Sequence, residues 1–189
     1  LALGGAPLST QSTGTPFMLD ASKLLTSDEI RAITGYAGAF KVGRLKEPRS
    51  EVQDSLHFRA DGRPERYDVA IRVWRVGGEK ITSRYEDLLN ALPGSKQNDE
   101  VGDRSFTVVQ GEILGFGLAS RTDSTVILLT CGRGQCVKDE MLVALGKQLH
   151  EHLHRLPAYS EPDADSAEPK KIGDGDGDEG PAGTEEDEE

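Results

Sequence analysis

"RSFTVVQGEILGFGLASRTDSTVILLTC", residues 104–131, reads as three strands in succession. Gly111 supplies the first turn and "RTDS" (121–124) the second, so the stretch folds as an antiparallel meander. In the third strand Val126 to Leu129 runs without a polar break, which predicts a central strand covered on both faces. The second strand carries Gly115 and Gly117, which predict either a bulge or a neighbour lying close over the backbone.

Upstream, "SEVQDSLHF" (50–58) alternates, with Val52, Asp54, Leu56 and Phe58 on one face and Gln53, Ser55 and His57 on the other. "RYDVAIRVWRV" (66–76) puts Tyr67, Val69, Ile71 and Val73 on one face, and "ADGRPE" joins the two as a hairpin loop. Three helices surround these strands. "LLTSDEIRAITG" predicts a helix over 26–34: Thr26 and Glu29 have capping-box spacing, Leu25 and Ile30 staple spacing, and Gly35 the stop. Ile81, Tyr85, Leu88 and Leu92 share a helical stripe that predicts 79–91, ended by Pro93-Gly94. "KDEMLVALGKQLHEHLHRL" (138–156) lines up Leu142, Leu145, Leu149, Leu153 and Leu156 before Pro157. The order α-β-β-(β)-α-β-β-β-α predicts an α+β fold: an antiparallel sheet of about five or six strands, with helices packed mainly on one face.

The 189 residues fit one domain with tails, expected at 23–158 between an N-terminal linker (1–22) and an acidic tail (159–189). The net charge of −11 belongs to that tail: residues 161–189 hold 13 acidic and 2 basic residues, leaving 20 of each before it. A neutral domain without a basic stripe argues against nucleic acid as a partner. The tail has too little apolar surface to offset the entropy of ordering and reads as disordered. Its Asp174, Asp176, Asp178 and Glu185 mimic calcium-loop spacing, but Glu179 and Pro181 break the turn, so weak cation association is all it implies. "LALGGA" at the start reads as the remnant of a signal peptide. No apolar run is long enough to span a bilayer as a helix.

The two cysteines, Cys131 and Cys136, are separated by "GRGQ". Gly132 and Gly134 give that segment freedom to close a bridge, and a structural disulfide implies an oxidising compartment. Two other readings stand beside it. Cys136 before a helix and near Arg133 and Lys138 has the setting of a reactive thiol, although redox pairs usually have two intervening residues. Gly132, Arg133 and Gly134 could also hold a small anion through exposed amides. His150 and His154, four apart on one helix face, are candidate metal ligands that need a third group from elsewhere in the fold; the plain alternative is a solvated flank. No cofactor motif is present, and neither "GxSxG" nor "SxxK" occurs.

"LLTSDEIRAITG", "VGDRSF", "GLASRTDSTVILLT" and "LVALGKQLHEHL", spread over 24–156, together resemble secreted lipoprotein-type sensor domains of bacteria: small lipoproteins of unknown function and the extracellular sensor domains of receptor Ser/Thr kinases. The resemblance implies a ligand-sensing or partner-binding module outside the cytoplasm, with no catalytic residues to carry over. The chain shows neither a lipid-accepting cysteine near its start nor a second cysteine pair.

These readings lead to a non-enzymatic extracytoplasmic domain, periplasmic, envelope-associated or secreted, that binds a protein or small ligand. The alternatives are a hydrolase or thiol oxidoreductase built around His57, Cys136 and a carboxylate, and a cytosolic adaptor with an acidic regulatory tail. Without charge steering, recognition is expected at a mixed patch drawn from Tyr36, Phe40, Trp74 with Arg72 and Arg75, and Phe116. Trp74 falls on the face of Asp68, Ala70 and Arg72. If that face is open the indole is an anchor; if helices cover it, Trp74 is core.

Overall fold

The computed structural model describes residues 20–45 and 54–157. The N-terminal linker and signal-peptide reading, Val52 and Gln53, and the acidic tail with its calcium-like spacing lie outside the described residues. The elements run α1 (Ser27–Thr34), β1 (Phe40–Gly43), β2 (Asp54–Ala60), β3 (Val69–Arg75), α2 (Lys80–Ala91), β4 (Lys96–Gln97), β5 (Arg104–Gln110), β6 (Ile113–Ser120), β7 (Thr125–Gly132) and α3 (Asp139–Leu153), with short 3₁₀ turns at Ala21–Lys23 and Glu65–Tyr67.

The fold is α+β, and the seven strands among the described residues form one antiparallel sheet in the order β1-β2-β3-β7-β6-β5-β4. Two meanders, β1–β3 and β4–β7, meet at the β3–β7 seam, and β7 is the central strand. Seven strands exceed the five or six expected because β4 is two polar residues, Lys96 and Gln97, defined only by pairing with Thr107 and Phe106. Both sheet edges, β1 and β4, are short, which limits edge-to-edge pairing.

The chain leaves β3 at the middle of the sheet and re-enters at the far edge, and α2 makes that crossing over one face. Helices α1 and α3 pack on the other. Val69, Ile71, Val73, Leu114, Phe116, Leu118, Ile127 and Leu129 face α3 through Leu142, Leu145, Leu149 and Leu153. Phe106, Val108, Ala119, Val126 and Leu128 face Ile81 and Tyr85 of α2. The unbroken apolar run of β7 is thereby buried on both sides.

The two strand glycines make room for neighbours. A Cβ at Gly117 would stand 2.0 Å from Phe106 Cε1, and one at Gly115 2.7 Å from Val108 Cγ1. On α3, a Cβ at Gly146 would meet Phe116 at 2.5 Å, so this residue sets how closely helix and sheet approach. Helix α1 has the expected capping box: Glu29 N–H donates to Thr26 Oγ1, and the Glu29 carboxylate accepts from Thr26 N–H at 2.9 Å. Gly35 closes it with φ +72°.

Candidate functional site

Trp74 lies on the expected face of β3, but α2 covers that face. The indole is 6% exposed, with Arg84 of α2 5.8 Å from its ring. Arg75 is buried beside it and donates to the Pro157 carbonyl at 2.9 Å; Arg72 is half-buried. Phe116, on the opposite face, is 1% exposed under α3. Trp74, Arg75 and Phe116 are therefore parts of the interior, and the expected patch does not form as one surface.

Tyr36 and Phe40 of that expectation do reach the surface, joined by Tyr67 and not by Trp74 or Phe116. Tyr36 and Phe40, both half-buried, stand 5.2 Å apart between ring centroids, and Tyr67 joins Tyr36 at 6.3 Å. The exposed Arg63 and Arg66 lie over Tyr67 at 5.4 and 5.5 Å. Phe40 meets the core through an edge-on contact with Phe58. Alternation places Tyr67 on the core face of β3; the strand begins only at Val69, and Tyr67 ends the 3₁₀ turn before it, half-buried at the margin of the core.

The disulfide Cys131–Cys136 is formed, with Cα atoms 6.0 Å apart and both residues fully buried in the α1–α3 core. Its loop supports the aromatic group. Gly132 N–H donates to the Asp68 carbonyl and Gly134 N–H to the Arg66 carbonyl, at 2.9 and 2.7 Å. Cβ atoms at Gly132 and Gly134 would collide with Arg66 and Tyr67, so the approach needs glycine at both places. Arg133 N–H donates to the Glu112 carbonyl, and its guanidinium pairs with Asp139. The Gly132, Arg133 and Gly134 amides thus bind backbone carbonyls and not an anion.

His57 pairs with Asp68 at 3.0 Å, and Asp68 also accepts from Ala60 N–H. Its strand face is opposite to that of the cystine, so His57, Cys136 and a carboxylate share no cleft. His152 clasps α3 to the N-terminal region: Nδ1 lies 3.1 Å from the Leu24 carbonyl, where it must carry the proton, and Nε2 lies between Gln148 and Glu29.

His150 and His154 do receive a third group. The β6–β7 turn brings Asp123 to them, and the three residues each place a donor atom within 4.8 Å of the others. His154 Nδ1 is 3.0 Å from Asp123 Oδ2, and the two imidazoles are 4.2 Å apart between centroids. Ser120, 2% exposed, holds Asp123 by donating its hydroxyl to Oδ2 while accepting Asp123 N–H. Burial, then the neighbouring His154, pull the His150 imidazole below its ordinary value. In the sequence Asp123 is an ordinary turn residue; nothing local tells that the end of α3 returns to it.

Among the described residues no helix is long and apolar enough to cross a membrane. No protein-family model matches the chain, and no curated protein does. One solved structure similar to it is that of a GTP binding regulator from Thermotoga maritima, 12% identical, with a TM-score of 0.38 over 68% of this chain and 90% of that one.

Proposed function

We propose that the protein is a non-enzymatic extracytoplasmic binding domain that recognises a protein or small ligand through Tyr36, Phe40, Tyr67, Arg63 and Arg66. The observation that carries this reading is the aromatic group with two guanidiniums over Tyr67, at the surface and pinned from behind by the disulfide loop. Tyrosine and arginine are the residue types that concentrate binding energy, because each offers a large contact area together with polar atoms. A surface held in advance by backbone hydrogen bonds and a cystine loses less entropy on binding. The bridge itself supports an oxidising compartment, periplasmic, envelope or secreted. The resemblance to secreted sensor domains points the same way.

The alternatives fare worse on the same residues. A thiol oxidoreductase needs an accessible sulfur, and both are fully buried. A hydrolase has the His57–Asp68 pair in its favour, without Cys136 beside it. A cytosolic adaptor needs reduced cysteines.

A photo-crosslinking amino acid at position 36, with the same group at Val109 as a control, tests the surface in cells that make the protein. Position 36 should give a discrete adduct that Arg63→Glu with Arg66→Glu abolishes, and position 109 should not. Equal adducts at both positions, insensitive to the arginine changes, would remove the proposal.

A further inference from the structure

We infer that Asp123, His150 and His154 form a binding site for a divalent first-row transition metal, Zn²⁺ being the redox-silent representative. The inference is independent of what the aromatic surface binds. Two imidazoles and one carboxylate are a borderline donor set, suited to Zn²⁺ and its neighbours and poorly suited to Ca²⁺ or Mg²⁺, which take oxygen ligands.

The geometry supports it from both elements. On α3 the spacing of four puts His150 and His154 one above the other on one face, and their rings are in contact at 4.2 Å. An ion pair tying the β6–β7 turn to the helix would need only Asp123 and His154; His150 is the additional group, and it lies half-buried within the same 4.8 Å. Zn–N and Zn–O bonds of about 2.0–2.2 Å separate tetrahedral ligand atoms by roughly 3.3–3.5 Å. The spacing of 3.3 Å between His154 Nδ1 and Asp123 Oδ1 already fits that, and modest side-chain rotation brings the His150 nitrogen in. Ser120 does for Asp123 what outer partners do for metal ligands: its hydroxyl orients one carboxylate oxygen while the other stays available. Three protein ligands leave a position open to water or to a donor from a ligand.

The test is calorimetric titration of the full chain with Zn²⁺, repeated with Ca²⁺ to account for the acidic tail. The unaltered protein should take up one equivalent of Zn²⁺ that excess Ca²⁺ does not displace. His154→Ala, at a half-exposed position outside the core, and His150→Ala should each weaken that uptake at least about tenfold, since even loss of an outer partner costs about 10–100-fold. Asp123→Asn should weaken it as well, and circular dichroism should show each variant folded. Binding that Ca²⁺ competes away, or equal Zn²⁺ affinity in the unaltered protein and folded His154→Ala, would overturn the assignment.

Discussion

Replacing Trp74 by alanine should cost about 3–5 kcal/mol. The side chain is 6% exposed between β3 and α2, packed with Val126, Leu128 and Ile81. A tryptophan buries about 150–250 Å², which at ~25 cal/mol/Å² is about 4–6 kcal/mol against a fully extended chain. Compact denatured states reduce that by roughly 10–40%, giving about 2–5, which takes in the range of about 3–5 found for large aromatic truncations in cores. With a urea slope of about 2 kcal/mol/M, the midpoint should fall by about 1.5–2.5 M at unchanged slope. Circular dichroism is the signal to follow, because this is the chain's single tryptophan. Trp74→Phe, which keeps an aromatic ring under Arg84, should lose less and remain folded if the alanine variant does not. In the unaltered protein the indole should emit at short wavelength and resist iodide. A loss under about 1 kcal/mol, with a quencher-accessible red-shifted emission, would refute the placement of α2 over this face.

Gly117→Ala should destabilise by about 1–3 kcal/mol, because its methyl would overlap the Phe106 ring, itself held against Tyr85, whereas Gly43→Ala, with open space around it, should be neutral or slightly stabilising in the same melts. Tyr85 gives a pH dependence: burial pushes its phenol up to about 12 from an ordinary 10, and its hydroxyl has no hydrogen-bond partner among the described residues. The folded state keeps this proton where the unfolded chain loses it, so the contribution is complete below pH 10 and disappears as pH rises to 12, an amount on the order of 2–3 kcal/mol. Tyr85→Phe should therefore match or exceed the unaltered protein in stability at pH 7 and show a shallower decline from pH 10 to 12 in denaturant titrations; an unchanged decline would remove this role. Thr26→Ala should lower stability by about 1 kcal/mol through loss of the α1 cap, read as a fall in melting temperature.

Local signals carried most of the architecture. The Thr26–Glu29 box, the Leu142 to Leu153 stripe and the unbroken Val126–Leu129 run each have a short-range cause, and each stands where that cause places it. The Trp74 register was legible in the same way. Its cover was not, since an amphipathic α2 fits either sheet face equally well and only the crossover from β3 to β4 decides. The anion reading of Gly132 to Gly134 failed for a similar reason: free amides and amides bound to Arg66 and Asp68 carbonyls look alike in sequence. Asp123 joined the histidines and Tyr67 joined Tyr36 through contacts between distant segments, which no periodicity encodes.

The most direct measurement is the redox state of Cys131 and Cys136 where the protein is made. Cells are quenched in acid, free thiols alkylated, and the chain weighed by mass spectrometry before and after reduction. A bridge that pins the Arg66–Asp68 backbone in an oxidising compartment predicts no alkylation before reduction and two alkyl groups after it. Two alkyl groups before reduction would contradict both the compartment and the pinned surface.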